Sequence, residues 1–160
     1  MKKMVLTFVL TLAVCLCVFA QEIKKIAAGL GAEVNVNSRE LFAGGIAFNF
    51  DYNLPVSAAP LAVGFSVTGS YNFKDTAVAE FAALFRWYFQ NKGHNGWFAQ
   101  AEAGYSLISV DRGRNLPFPV LAGVRTGYRL PLGSSFYVEP YARFGYSFLL
   151  GIGVLGGVRF

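Results

Sequence analysis

Few side chains here offer chemistry, and they are regularly placed. Histidine occurs once, at His94, inside the polar run Asn91-Lys92-Gly93-His94-Asn95-Gly96. A zinc centre needs several converging ligands, and a Ser–His nucleophile needs a hydroxyl held beside the ring. With no second histidine in the sequence and so many turn formers around His94, this run reads as a solvated connection with neither a metal nor a catalytic role. What remains is ionic. Ten charged side chains, Glu33, Asp51, Glu80, Arg86, Glu102, Arg125, Arg129, Glu139, Arg143 and Arg159, stand inside otherwise apolar segments. Five acids and five arginines can neutralise one another, as an enclosed low-dielectric interior requires.

The elements that must position these charges are constrained by composition. Of 160 residues, 54% are hydrophobic and 14% are charged. That is too apolar for an ordinary soluble domain and too interrupted by glycine and charge for a helical membrane protein. Residues 1–20 carry Lys2 and Lys3 followed by an apolar stretch ending Val18-Phe19-Ala20, the pattern of a secretory signal peptide cleaved before Gln21. Both cysteines, Cys15 and Cys17, fall in that segment, so residues 21–160 have neither disulfide nor thiolate chemistry. Val14 and Leu16 precede them where lipidation needs a small residue. Removing Lys2 and Lys3 from fourteen basic residues leaves twelve against nine acids, too mild an excess to indicate nucleic acid as a partner. Nothing in the sequence calls for a cofactor.

Residues 21–160 read as one domain of eight period-two segments, near 26–37, 41–54, 61–73, 77–90, 97–110, 119–130, 136–148 and 151–160. Each is long enough, at about 9–11 residues, to cross a bilayer at a tilt. Ile26, Ala28, Leu30, Ala32, Val34 and Val36 share one face of the first, and Leu61, Val63, Phe65, Val67, Tyr71 and Phe73 share one face of the third. All ten charges take the opposite, polar face of their segment, which random alternation achieves about once in a thousand trials. The expected fold is therefore all-β: an eight-stranded antiparallel up-and-down transmembrane barrel, closed so that no backbone edge meets lipid. Eight strands make a barrel just wide enough to be filled by side chains. Connections at Pro55–Pro60, Gln90–Gly96 and Pro131–Ser135 would be periplasmic, and those at Ser38–Glu40, Lys74–Thr76, Asp111–Pro119 and Leu149–Leu150 external. Aromatics then gather at two rims: Tyr52, Trp87, Phe89, Trp97, Tyr128, Phe136 and Phe160 at the inner, Phe42, Tyr71, Phe73, Tyr146 and Phe148 at the outer. The same reckoning puts Arg86, Glu102, Arg125, Arg129, Glu139 and Arg159 in the inner half of the lumen and Glu33, Glu80 and Arg143 nearer the outside.

With its signal-like start, eight dyad segments and terminal Val158-Arg159-Phe160, the chain resembles the small eight-stranded outer-membrane proteins of the OmpA, OmpX and OmpW type. The resemblance covers essentially all of residues 21–160. It implies an outer-membrane location, outer-membrane lipids as surroundings, and recognition of Val154, Val158 and Phe160 by the barrel-assembly machinery. In OmpW-like barrels, prolines such as Pro140 accompany a lateral gap for an apolar ligand; the alternative is that Pro140 sits at the membrane interface, where water replaces its missing hydrogen bond.

The leading expectation is a filled barrel with a structural, protective or surface-interaction role and no catalysis. A narrow channel or carrier for small hydrophobic compounds is the alternative, and a lipid A-modifying barrel enzyme comes third. Arg112 and Arg114, in the longest external connection, are the candidate contacts for an anionic glycolipid. A soluble lipocalin-like barrel would instead turn the ten charges outward and leave the aromatic rims unexplained.

Overall fold

The computed structural model describes residues 25–36, 42–55, 60–90, 94–110, 114–115 and 120–160. The signal-like segment and Arg112 lie outside them. The described residues form β1 (Ile26–Val36), β2 (Ala43–Asn53), β3 (Leu61–Tyr71), β4 (Thr76–Tyr88), β5 (Gly96–Val110), β6 (Arg114–Asn115), β7 (Val120–Leu132), β8 (Phe136–Tyr146) and β9 (Leu150–Arg159). Every pairing is antiparallel. Neighbours run β4-β3-β2-β1-β9-β8-β7-β5, and β4 pairs with β5 to close eight strands into a barrel. The first and last strands are also tied at one end: Ile26 N donates to Phe160 O at 3.3 Å and Phe160 N to Ile26 O at 2.8 Å.

Register fixes the barrel's shape. Stepping across partners from Ile26 leads through Tyr52, Val63, Phe85, Ala101, Val124, Phe144 and Leu150 to Val36, which is 36 − 26 = 10 residues along β1. For eight strands with ordinary strand spacings, that stagger tilts each strand by about 40° to the barrel axis. The odd positions of β1 and their partners all face the lumen. The other face leaves an apolar side chain exposed on every barrel strand: Leu30, Ile46, Phe65, Phe85, Leu107, Val124, Phe144 and Ile152. Continuous apolar surface of this kind is foreign to soluble monomers.

Three details depart from the sequence-based expectation. Pro131, expected in a turn, lies within β7 opposite Tyr137, because the turn is carried by Gly133, whose φ of +71° suits glycine. Phe148, expected at the outer aromatic rim, is buried at 5% exposure against Ala43 and Val78. Strand β8 stops at Tyr146, so alternation is not carried to Phe148; Leu149 N instead donates to Val36 O and folds the bend over the mouth. The third is β6, a two-residue strand inside the expected external connection, where Arg114 and Asn115 pair with Val110 and Ser109. The remaining outer-rim aromatics, Phe42, Tyr71, Phe73 and Tyr146, are exposed, as are Tyr52, Trp87, Phe89, Trp97 and Phe136 at the end bearing Ile26 and Phe160, hereafter the terminal end.

Candidate functional site

Among the described residues the lumen concentrates the polar chemistry, and all ten charged residues singled out above lie on it, none more than 8% exposed. Near the terminal end four of them form a closed cluster. Arg86 on β4 forks onto Glu139 on β8, with Nη1 and Nη2 each donating at 2.9 Å to a different carboxylate oxygen. Arg86 Nη1 also reaches Asp51 Oδ2 at 3.1 Å, and its Nε donates to Gln100 Oε1 at 2.6 Å. Arg129 on β7 donates from Nε to Glu139 at 2.7 Å and from Nη2 to Asp51 at 2.5 Å. Two acids thus balance two guanidinium groups, all fully buried.

Aromatic rings complete this plug. The Arg86 guanidinium lies 4.1 Å from the Phe98 ring centre, and that of Arg129 lies 4.2 Å from Tyr137 and 5.4 Å from Tyr88. A planar guanidinium can bind carboxylates in its plane and rings on its faces at once, which an ammonium cannot. The tyrosines lie against glycine. A Cβ on Gly157 would approach Tyr137 Cζ to 2.3 Å, and one on Gly153 would approach Tyr141 Cζ to 2.5 Å. Glycine on the lumen face of β9 therefore makes the room that the large residues of β8 fill.

Farther up, Arg125 sits 3.2 Å from Glu102, donates to Asn49 Oδ1 at 3.1 Å and stacks 4.3 Å from the Tyr141 ring centre. Toward the distal end, Arg143 donates to Glu33 at 3.0 Å and to Glu80 at 2.7 Å. Tyr141 OH and Asn35 Nδ2 also donate to Glu33, and Phe148 lies 6.0 Å from the Arg143 guanidinium. Gln100, Asn35, Asn49, Tyr88, Phe98, Tyr137 and Tyr141 belong to the network as much as the charges do, although the sequence reading did not include them as site residues. Their signal was the same polar-face position; their neutral or aromatic character hid it.

Arg159 closes the terminal mouth and donates to Asn95 Oδ1 at 2.7 Å. Beside it, His94 corrects the expectation of a solvated turn residue. With φ at +55°, its half-buried ring packs edge-on to Tyr88 at 5.5 Å. Burial, the largest influence, lowers its pKa from the ordinary value of 6.5. A histidine that prefers to stay neutral in the fold contributes stability that is present above the unfolded value and lost as pH falls through it. The unfolding temperature in detergent is therefore expected to decline from pH 7.5 to 5.5, and His94→Gln is expected to flatten that decline. An unchanged slope would show that His94 does not titrate differently on folding.

Pro140 is exposed on the outer face and partners Val154 on β9. Toward β7 the ladder is interrupted, passing from Gly127–Tyr141 to Leu130–Val138 without loss of register. Its missing N–H accounts for a local break in bonding. Val154 is exposed on the outer face, and Val158 and Phe160 are partly buried. The backbone of Arg114 lies in β6, whereas Arg112 is outside the described residues. Among the described residues, no group of three or more His, Cys, Asp or Glu is placed to hold a metal ion.

No protein-family model matches the chain, and no curated protein matches it. Among solved structures it is similar to the crystal structure of Neisserial surface protein A, with a TM-score of 0.61 and 15% identity, over 84% of this chain and 94% of that one. At that identity the likeness is one of fold: a closed, all-antiparallel eight-stranded barrel, the architecture of small outer-membrane barrel proteins.

Proposed function

We propose that this chain is an integral outer-membrane protein whose barrel is filled by paired charge and aromatic rings, with a structural, protective or surface-interaction role and no catalysis. The observation that carries the reading is the Arg86–Glu139–Arg129–Asp51 cluster, fully buried across the lumen of a barrel whose outer face is apolar on every strand. A solute crossing the barrel would have to break bidentate, stacked ion pairs. Outer-membrane lipids are the surroundings in this reading. The barrel-assembly machinery would read Val154, Val158 and Phe160 on the closing strand, and Arg112 with Arg114 would meet the phosphates of an anionic glycolipid.

Reconstitution in planar bilayers tests the filled lumen. The expected result is no unitary conductance above that of the protein-free bilayer. Reproducible ion-conducting steps would replace this reading with a channel. A second reading, a carrier for small hydrophobic compounds, is favoured by an open groove of about 760 Å³ on the outer face toward the distal end, lined by Ile46, Tyr71, Phe73 and Leu107 with Gly44 and Gly69 among them. It offers an apolar ligand a place on the outer face across β1 to β5, apart from the broken ladder between β7 and β8 at Pro140.

A further inference from the structure

We infer that His94 and Asn95 form an acid-released latch on the terminal mouth of the lumen, closed at neutral pH and freed when the imidazole takes up a proton. Three strands hold these residues in place. His94 has a left-handed backbone, with φ at +55°, and Gly96, two residues on, has φ at +87°. The His94 ring stands edge-on to Tyr88 of β4 with 5.5 Å between ring centres, and a hydrogen bond ties it to the Leu61 backbone at the start of β3. Asn95 Oδ1 accepts from Arg159 of β9 at 2.7 Å.

The charges facing the ring set the direction of the switch. Arg129 of β7 and Arg159 of β9 act against a charge on it, and Asp51 of β2 acts in favour. Asp51 is already engaged by Arg86 and Arg129, and Glu139 by the same pair. Tyr88, in ring contact with His94, is a phenol whose oxygen already accepts from Arg86 at 3.2 Å. His94 Nε2 is buried without a hydrogen-bond partner, so a proton there gains no acceptor in the closed arrangement. A charge held in such a position costs free energy that release into water recovers.

The contact made by Asn95 pulls the same way. Its partner Arg159 is a cation that a protonated His94 repels, so the two halves of the latch agree when the ring is neutral and oppose each other when it is charged. Because the closed state binds the proton less readily than a ring in water, acid favours release by linkage. The latch lies over the arginine layer: Tyr88 touches the His94 ring on one side, and on the other its ring centre lies 5.4 Å from the Arg129 guanidinium. Release admits water to that layer and leaves the deeper ion pairs in place. The switch requires a closed barrel and neither the presence nor the absence of conductance, so it stands or falls separately from the proposed function.

Amide exchange measured by NMR on the refolded chain in detergent micelles, from pH 7.5 to 5, tests the latch. His94 is the only histidine in the sequence, so its ring resonances report protonation directly. The reporter is the Phe89 amide, which donates to Trp97 O at 2.9 Å beside the latch; the control is the Asn72 amide, which donates to Thr76 O at the distal end. After correction for the intrinsic pH dependence of exchange, Phe89 is expected to exchange about tenfold faster once the ring is charged, with Asn72 unchanged and no acceleration in His94→Gln. A ring that stays neutral down to pH 5, Phe89 protection that survives its titration, or an acceleration shared by Asn72 or by His94→Gln would overturn the latch. If that variant does not refold, the wild-type midpoints decide: coincident Phe89 and His94 transitions support the latch, and separate ones reject it.

Discussion

Glu139→Ala is expected to destabilise the barrel by about 3–5 kcal/mol, read from urea or thermal unfolding in detergent, because it strands buried charge. Glu139 receives both terminal nitrogens of Arg86 and the Nε of Arg129. Without it, Asp51 alone faces two guanidinium groups that have no access to solvent. The origin of the loss is testable by a second substitution. Arg86→Met in the Glu139→Ala background leaves Asp51 and Arg129 as a one-to-one pair, so much of the lost stability should return even though more native bonds have been deleted. A buried ion pair is weak evidence for net stability, since apolar residues of similar volume can replace it at little cost. What the cluster supplies is a lumen with one preferred filling. Unchanged stability in Glu139→Ala would mean that these charges are solvated and the plug does not exist.

Phe65→Arg is expected to cost about 2–4 kcal/mol in lipid vesicles, the range for arginine on the lipid face near the bilayer midplane. Phe65 lies near the middle of β3, is exposed, and touches other side chains of its own face, stacking on Phe50 at 5.4 Å and packing at a tilt on Phe48 at 6.0 Å. On a water-soluble barrel the same substitution would shift stability by no more than about 0.5 kcal/mol, since it removes an exposed apolar ring. The sign and size of this one change therefore distinguish lipid from water as the solvent of the outer face. Folding yield into vesicles, titrated with denaturant, gives the number.

How much of this was legible in the sequence follows from what each feature depends on. The division between faces was readable because strand alternation is a local property: Glu33 or Arg143 declares its side from its neighbours alone. Which charges meet was not, since Arg86 and Glu139 are 53 positions apart and their contact depends on the ten-residue stagger, which accumulates over all eight pairings. Tyr88 and Phe98 share the face of Arg86 and Glu102, but an aromatic side chain there does not announce a role until an arginine is seen stacked on it. Phe148 was misassigned because nothing in the pattern of residues 136–148 announces that the strand stops at Tyr146. Pro131 erred in the opposite direction: proline is a fair turn signal, but Gly133 two residues later supplies the conformation the turn needs. His94 looked solvated because its neighbours in sequence are polar, whereas its neighbour in space is Tyr88.

The central claim is that a polar lumen is wrapped in an apolar, lipid-facing wall of eight strands. Gel migration of the detergent-refolded chain with and without boiling, run beside fractionation of cells expressing it, tests that claim most directly. Faster migration of the unboiled sample and recovery in the outer-membrane fraction are the predicted results. A soluble protein that migrates identically before and after boiling would contradict it, because an apolar belt on all eight strands could not then be facing water.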